Sequence, residues 1–217
     1  MKEEVELEIV VSPDNHGYFD RYYISQETLN KFSVFNIKSV YRNGKLHSKA
    51  TKSNPIFAYS FPSGRIKLYR PLSVDKSKKW YGNSSSDDLG GFEQLPKKGN
   101  LLVITKSLKD TMVLCEMGIP ALSFNAESVG VGENTDYADL IKMLKYRFYN
   151  VVVLYDNDDA GIVAARKLCA KYNLRSIVLQ KEKDISDLVF RYGKPKAFKQ
   201  LKKRLSRVLR ITTITPY

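Results

Sequence analysis

The chain has 217 residues, of which 43% are hydrophobic and 27% charged, a composition typical of a folded globular protein and not of a disordered one. Thirty-six lysine and arginine residues against 23 aspartate and glutamate residues give a net charge of +13, so a polyanion such as nucleic acid is the first partner to expect. No stretch approaches about 18 uninterrupted apolar residues, so we predict neither a membrane span nor an export signal and expect a cytoplasmic protein.

The N-terminal half of the chain predicts a small mixed α/β subdomain. Apolar alternation and capping signals predict strands at 5–11, 56–61 and 65–70, and a short helix after Ser25. The last two strands flank Pro62-Ser63-Gly64, which indicates a hairpin. Residues 73–100 are rich in Ser, Asp, Gly and Lys and predict a long loop. We therefore expect a first domain at residues 1–97.

From residue 98 to residue 192 the pattern becomes a regular alternation of strands and helices. Strands are predicted at 101–105, 119–124, 151–155 and 175–179, and helices at 107–117, 136–147, 159–172 and 185–192. Such alternation predicts an α/β domain with a parallel sheet flanked by helices. The runs Leu101–Thr105 and Val151–Tyr155 are almost wholly apolar, as expected for parallel strands covered on both faces.

The tail at residues 193–217 contains a basic amphipathic helix. Its apolar side chains fall on one helical face over residues 195–210, and lysine and arginine dominate the rest. The helix could contact nucleic acid, dock on the body of the protein, or lie on a membrane surface. The apolar stripe favours docking, with the cationic face outward toward nucleic acid and no membrane partner.

Few residues are available for other chemistries. The two cysteines, Cys115 and Cys169, lie far apart in apolar periodic segments, so neither disulfides nor zinc is expected. His16 and His47 are the only histidines, which makes histidine-based catalysis a poor fit. The chain has no P-loop pattern, so we expect no helicase motor within it.

Two acidic residues directly follow the apolar strand at 151–155. Asp156 and Asp158 are two positions apart, so in an extended chain both side chains point the same way. Ligand sites in parallel sheets lie outside the carboxyl ends of the strands, and hard oxygen ligands there suit Mg²⁺. The alternative is a helix cap with solvated loop acids.

The order of these motifs resembles the TOPRIM fold that DnaG-type primases, topoisomerases and some nucleases share. The segment from Ile104 to Met117, followed by Tyr155 to Gly161, is similar to the family's strand, acidic residue, helix, strand and D-x-D-x-x-G. Asp110 matches an acid of the primase-like members, and Lys183 to Leu188 is similar to their K-D-x-x-D segment. The resemblance implies Mg²⁺ or Mn²⁺ held by a set of four acids, Asp156, Asp158, Asp184 and Asp187.

One position departs from the family pattern, because the family's catalytic glutamate falls on Lys106. An ammonium group is not a metal ligand and repels the ion. Lys106 therefore either contacts a phosphate directly or marks a degenerate site that only binds. Asp110, Glu116 and Glu127 are candidates to replace the missing glutamate, and Glu127, which follows a predicted strand, is the better one. For each of the three taken singly, a surface charge is the favoured interpretation.

Basic and aromatic residues alternate between residues 54 and 83, a pattern suited to phosphate neutralisation and base stacking. This segment resembles the subdomain that precedes TOPRIM in DnaG-type and phage primases. By that resemblance Lys79 contacts a triphosphate or primer. Further nucleic-acid or nucleotide contacts are expected at Arg65, Lys67, Arg70 and Lys109. The alternative is a solvated hairpin face.

These features favour a phage-type primase-like nucleotidyltransferase that makes short RNA primers on single-stranded DNA from nucleoside triphosphates. In that interpretation Asp156 and Asp158 bind the metal, Asp110 orients the site and Lys106 contacts phosphate. A replicative helicase is a candidate partner, and the host cytoplasm is the expected location. A TOPRIM nuclease and a non-catalytic replisome adaptor that binds nucleic acid are the alternatives.

Overall fold

The computed structural model describes residues 7–125 and 136–209. The first part forms an antiparallel sheet whose strands lie in the order β1-β2-β4-β5-β6, with β3 paired to β2. Its elements are β1 (Leu7–Val11), α1 (Gln26–Lys31), β2 (Val34–Arg42), β3 (Lys45–Lys49), β4 (Ile56–Ser60), β5 (Ile66–Tyr69) and β6 (Trp80–Gly82). The predicted hairpin is present, because β4 pairs antiparallel with β5.

Three strands of this sheet, β2, β3 and β6, were missing from the sequence prediction. The hairpin of β2 and β3 turns at Asn43-Gly44, where both residues have positive φ, 50° and 72°. Asn-Gly is the preferred pair for such a two-residue turn. Strand β6 lies within residues 73–100, so the prediction that this segment is only a loop was wrong at Trp80–Gly82.

The second part has a four-stranded parallel sheet in the order β10-β9-β7-β8. Its elements are β7 (Gly99–Thr105), α2 (Leu108–Glu116), β8 (Ala121–Ser123), α3 (Ala138–Arg147), β9 (Phe148–Leu154), α4 (Asp159–Tyr172), β10 (Arg175–Ser176), α5 (Ile185–Tyr192) and α6 (Lys194–Leu209). The predicted α/β class and parallel sheet are confirmed. Strands β8 and β10 are shorter than the predicted ranges 119–124 and 175–179.

Strand β7 is buried on both faces, which explains its continuous apolar sequence. Leu101 and Val103 belong to a core that also contains residues of β4, α2 and α6. Leu102 and Ile104 point to the other face and pack with residues of α3 and α4. The first core thus contains residues of both the antiparallel and the parallel part. The proposed domain limits at residues 97 and 192 stay a prediction.

Helix α6 docks on the body of the protein through its apolar face, as its pattern predicted. The buried residues repeat at helical spacing and are Ala197, Leu201, Leu205 and Leu209. Lys199, Lys203 and Arg207 are exposed. Among the helices that the structure describes, none is long and apolar enough to cross a membrane.

Candidate metal centre and its basic surroundings

Three carboxyl groups meet where the central parallel strands end. Asp156 follows β9 by two residues, Asp110 lies in the first turn of α2, and Asp184 caps α5. Each offers an oxygen atom that lies within 4.8 Å of the others, and within residues 7–125 and 136–209 these three form a group that could hold a metal ion. The position agrees with the rule that ligands bind outside the carboxyl ends of parallel strands.

Helix caps fix two of these carboxyl groups. Ser107 caps α2, and its hydroxyl group donates to Asp110 Oδ2 at 2.7 Å. The hydroxyl and backbone N–H of Ser186, in the first turn of α5, both donate to Asp110 Oδ1. Asp184 Oδ1 accepts from the Asp187 backbone N–H at 2.7 Å as the cap of α5. These bonds tie α2 to α5 and hold Asp110 beside Asp184.

Burial changes the protonation of this pair. Asp110 is 4% exposed. Burial and the nearby Asp184 carboxylate together raise the pKa of Asp110 to about 7, although Lys109 and the serine hydrogen bonds oppose the rise. Burial, followed by Asp184, also raises the pKa of Asp187. Two of the acids near the site are therefore easier to protonate than ordinary aspartates.

Three lysines contact the acidic cluster. Lys106 Nζ lies 3.0 Å from Asp156 Oδ2, and Lys183 Nζ lies 3.2 Å from the same oxygen atom. Lys183 also contacts Asp158 Oδ2 at 2.7 Å, and Lys109 Nζ lies 3.7 Å from Asp184 Oδ2. Carboxylates that are this crowded need nearby cations when no metal ion neutralises them.

The predicted ligands Asp158 and Asp187 lie at the margin of the cluster. Asp158 caps α4, where its side chain accepts from the Gly161 N–H at 2.8 Å. The hydrogen bond from Lys183, followed by that from Gly161, lowers the pKa of Asp158. The structure thus brings together Asp110, Asp156 and Asp184, and a metal-binding role for Asp158 and Asp187 stays a prediction.

The loop between β9 and α4 has room only for glycine at position 161. A Cβ atom on Gly161 would overlap the backbone carbonyl of Asp156 and approach the Asp156 side chain to 2.9 Å. This close approach places the start of α4 against Asp156. It gives the glycine of the D-x-D-x-x-G motif a steric reason.

The other two candidates for the role of the missing glutamate are Glu116 and Glu127. Glu116 accepts hydrogen bonds from the Ser25 N–H and hydroxyl group and from the Thr28 hydroxyl group, at 2.6–2.8 Å. It therefore ties α2 to the N-terminus of α1 and is engaged there. Glu127 lies outside the residues that the structure describes.

The donor set fits a hard divalent cation. Asp110, Asp156 and Asp184 supply oxygen atoms from separate elements, and the first two are buried, so the ligands are held in place. Lys106 and Lys183 are partly exposed, with side-chain exposures of 31% and 51%, and their stems allow the ammonium groups to move away.

A cavity of about 310 Å³ lies between the two sheets beside this cluster. Its walls include Lys67, Trp80 and Asn125 together with Lys106, which also contacts Asp156. Lys67 Nζ donates to the backbone and side-chain oxygen atoms of Asn125 at 2.6 Å and lies 4.8 Å from the centre of the Trp80 ring. Burial lowers the pKa of Lys67 to about 8.

The other predicted basic contacts have different surroundings. Lys79 lies 5.8 Å from the centre of the Tyr69 ring, and burial lowers its pKa. Lys109 lies over the Tyr22 ring at 4.5 Å. Arg70 Nε is buried without a hydrogen-bond partner in the described part of the chain.

Arg65 forms an internal ion pair. Its Nε and Nη2 atoms lie 2.8 and 3.0 Å from the carboxylate of Asp88, which also accepts from the Ser63 hydroxyl group and the Ser85 N–H. Burial opposes ionisation of Asp88, but these hydrogen bonds outweigh it and hold its pKa below the usual value. Arg65 thus fixes the chain before β7, and a direct nucleic-acid contact by Arg65 stays a prediction.

Sequence reasoning missed several residues of this region. Lys183 stands directly before Asp184 in the recognised K-D-x-x-D segment, so the motif itself could have pointed to it. Asn125 and Asp88 had no such signal, because their partners Lys67 and Arg65 are distant in sequence and the contacts depend on the fold.

Residues 103–189 match a family model described as Toprim-like. No curated protein matches the sequence. The fold is similar to the primase fragment of the bacteriophage T7 primase-helicase protein, with a TM-score of 0.58 and 18% identity over 82% of this chain and 71% of that chain. A chain in the structure of the T7 lagging-strand DNA polymerase, with primase domains of two gp4 subunits, an RNA/DNA hybrid and dTTP, matches with a TM-score of 0.55 and 18% identity over 93% of both chains.

A third solved structure extends the likeness to a bacterial primase. The zinc-binding and RNA polymerase domains of the Aquifex aeolicus primase match with a TM-score of 0.58 and 14% identity, and this chain covers 56% of that one. The match covers 88% of the present chain, so both its sheets take part in a primase-like fold. Residues 103–189 therefore resemble a TOPRIM domain, and the fold of the chain is similar to that of the phage and bacterial primase structures.

Proposed function

We propose that this protein is a primase-like nucleotidyltransferase that joins ribonucleotides into short primers on single-stranded DNA. The observation that carries the proposal is the triad of Asp110, Asp156 and Asp184 at the carboxyl ends of the central parallel strands, beside a cavity lined by aromatic and basic residues. Lys106 connects the two, because it lines the cavity and contacts Asp156.

The triad would hold Mg²⁺ or Mn²⁺. When bound, such an ion neutralises phosphate charge during the attack of a primer 3′-hydroxyl group on the α-phosphorus of a nucleoside triphosphate, with pyrophosphate as the leaving group. Ser107 and Ser186 keep Asp110 in position through their hydrogen bonds. Asp158 and Asp187 would extend the acidic site.

The ammonium groups near the triad would bind phosphate. Lys106 and Lys183 are partly exposed and can form charge-assisted hydrogen bonds to phosphate oxygen atoms. Lys109 is more deeply placed, with a side-chain exposure of 14%, and its ion pair with Asp184 holds that carboxylate. Catalysis would then depend on positioning and on charge stabilisation by groups that are already in place.

The cavity would receive the nucleoside part of a substrate. Trp80 is 37% exposed and stacks on Tyr69 with ring centres 4.1 Å apart, which gives a rigid aromatic wall. The buried hydroxyl group of Tyr59 also belongs to a cavity residue and has no hydrogen-bond partner within the described residues, so a ligand could supply one. Lys67, Lys79 and Arg70 would contribute positive charge along the path of the template.

We assign residues 1–97 to nucleotide and template handling, residues 98–192 to the TOPRIM domain and residues 193–217 to a basic tail. Outward lysines and arginines of α6 would add non-specific attraction for DNA. A replicative helicase is the partner that we propose for delivering the template.

One observation favours a second function, a non-catalytic replisome adaptor. Asp156 Oδ2 already has two ammonium partners, Lys106 and Lys183, which is the arrangement expected of an acidic site that no longer uses metal. Such a protein would bind single-stranded DNA through its basic surface without joining nucleotides.

A primer-synthesis assay separates these functions. Single-stranded DNA, four labelled ribonucleotides and Mg²⁺ or Mn²⁺ are incubated with wild type, Asp156→Asn, and the matched control Asp159→Asn, whose carboxylate is exposed at the start of α4. We expect short products from wild type and the control, and a loss of at least about 100-fold in Asp156→Asn, the order found when one group that stabilises charge is removed. Tight DNA binding without products would favour the adaptor, and shortened DNA would indicate a nuclease.

A further inference from the structure

The acidic cluster contains its own cations. Lys106 and Lys183 place their ammonium groups 3.0 and 3.2 Å from one oxygen atom of Asp156. Lys183 continues to Asp158 at 2.7 Å, so a single ammonium group bridges both acids of the D-x-D motif. The carboxylates that a metal ion would use are therefore already paired within the protein.

A divalent ion and these ammonium groups cannot share Asp156 without mutual repulsion. The lone pairs of Asp156 Oδ2 are engaged by two positive charges, and Asp156 is 5% exposed, so water screens the charges poorly. An ion that binds Asp156 must displace at least one ammonium group or bind beside it at an electrostatic penalty.

The two lysines differ from the third in their freedom to leave. Lys106 and Lys183 have side-chain exposures of 31% and 51%, so their ammonium groups can move into solvent or onto a ligand. Lys109 has a side-chain exposure of 14% and packs on the Tyr22 ring, so it stays with Asp184. The movable cations are thus those on Asp156.

We propose that Lys106 and Lys183 compete with the divalent ion for Asp156, and that a phosphate-bearing ligand relieves this competition by drawing both ammonium groups onto its own oxygen atoms. Metal and phosphate then bind cooperatively, and each strengthens the other by the same factor. The free protein holds the ion weakly, and the site becomes complete only when substrate is present. This inference rests on the proposed function, because that function supplies the phosphate ligand.

Mn²⁺ titration of the full chain, followed by the electron paramagnetic resonance signal of the free ion, measures the competition directly. We expect Lys106→Met to bind Mn²⁺ about tenfold or more tightly than wild type, a factor within the usual range of coupling between sites. Lys142→Met, which removes an exposed charge from α3, should stay within about twofold of wild type, since an exposed charge is screened. Equal affinities for the two variants would overturn the competition.

A second variant guards against a folding defect in Lys106→Met. Lys183 is the more exposed of the pair, so Lys183→Met is well tolerated and should also tighten Mn²⁺ binding. If Lys183→Met keeps a wild-type melting curve and a wild-type Mn²⁺ affinity, Lys183 is not a competitor and the proposal fails.

Sulfate takes the place of the phosphate-bearing ligand in a second titration, and Mn²⁺ affinity in sulfate is compared with that in chloride at equal ionic strength. Sulfate should tighten Mn²⁺ binding several-fold in wild type and leave the double variant Lys106→Met, Lys183→Met unchanged. An equal response of both proteins to sulfate would overturn the exchange of the ammonium groups.

The primer-synthesis assay is read separately, so the two failures can be told apart. If Lys106→Met binds Mn²⁺ more tightly but wild type forms no primer products, the proposed function is contradicted and the competition between the lysines and the metal ion is supported. Primer products from wild type together with identical Mn²⁺ affinities would support the function and overturn the competition.

Discussion

Replacement of Asp110 by asparagine should make the fold more stable at neutral and alkaline pH while it damages the candidate metal site. The carboxyl group is buried, and burial together with Asp184 raises its pKa from 3.8 to about 7. The folded protein therefore retains a proton that the unfolded chain releases between these values. The resulting stability is present in full below about pH 4 and is lost as pH rises through 7.

The loss of stability with rising pH can be calculated from the raised pKa of Asp110. Each pKa unit corresponds to about 1.4 kcal/mol, so a shift of about 3 units removes about 4 kcal/mol of stability by pH 8. Asparagine stays neutral and keeps one oxygen atom, which can accept either from Ser107, the donor to Oδ2, or from Ser186, the donor to Oδ1. The advantage of Asp110→Asn over wild type should therefore grow by roughly 2 to 3 kcal/mol between pH 5 and pH 8, since more than a third of the loss has already occurred at pH 5.

Urea unfolding of wild type, Asp110→Asn and the exposed control Asp159→Asn at both pH values, with a chelator present, measures this difference. If the triad holds a metal ion as proposed, addition of Mg²⁺ should stabilise wild type more than Asp110→Asn, because such a site exists only in the folded protein. An advantage of Asp110→Asn that is equal at pH 5 and pH 8, or a variant that is less stable than wild type at pH 8, would refute the reasoning about the buried charge.

Three further outcomes follow from the structure. Leu201→Ala removes a fully buried side chain from α6 and should lower the free energy of unfolding, measured by chemical denaturation, by about 3 kcal/mol. The control Lys203→Ala changes an exposed residue of the same helix and should lower it by less than about 0.5 kcal/mol. Burial lowers the pKa of Lys67 from 10.5 to about 8, so the unfolded chain binds more protons than the folded protein between these pH values. The free energy of unfolding of wild type should therefore rise relative to that of Lys67→Met from pH 8 to pH 10. Parallel curves of stability against pH for the two proteins would contradict this. If Lys79 contacts a phosphate, Lys79→Ala should weaken single-stranded DNA binding and reduce the slope of log binding constant against log salt concentration by about 0.7. Fluorescence anisotropy at several salt concentrations measures this slope. An unchanged slope would show that Lys79 does not contact a phosphate.

The sequence was sufficient for the features that depend on local periodicity. The apolar runs that became β7 and β9, and the helical spacing of α6, predicted the parallel sheet and the docked tail because burial leaves a direct pattern in the chain. The D-x-D-x-x-G segment also placed Asp156 at the end of a strand. The hairpin of β2 and β3 was missed although Asn43-Gly44 carries its turn signal.

The charges of the site could not be assigned in the same way. The sequence alone does not distinguish a basic residue that contacts phosphate from one that pairs with an acid inside the protein. Arg65, for example, pairs with Asp88, 23 residues away. Lys106, Asp156 and Lys183 meet only because the ends of separate elements converge in the fold. The burial that brings Asp110 into the ligand group likewise depends on the packing of α5 on α2.

The central claim is that the acidic triad supports metal-dependent joining of ribonucleotides. Mass spectrometry of the material formed from single-stranded DNA, four ribonucleotides and Mn²⁺ tests it most directly, with wild type and Asp156→Asn compared. We predict oligoribonucleotides with a 5′-triphosphate from wild type and none from Asp156→Asn. Intact ribonucleotides and intact DNA in both samples, from protein that binds the DNA, would contradict the account.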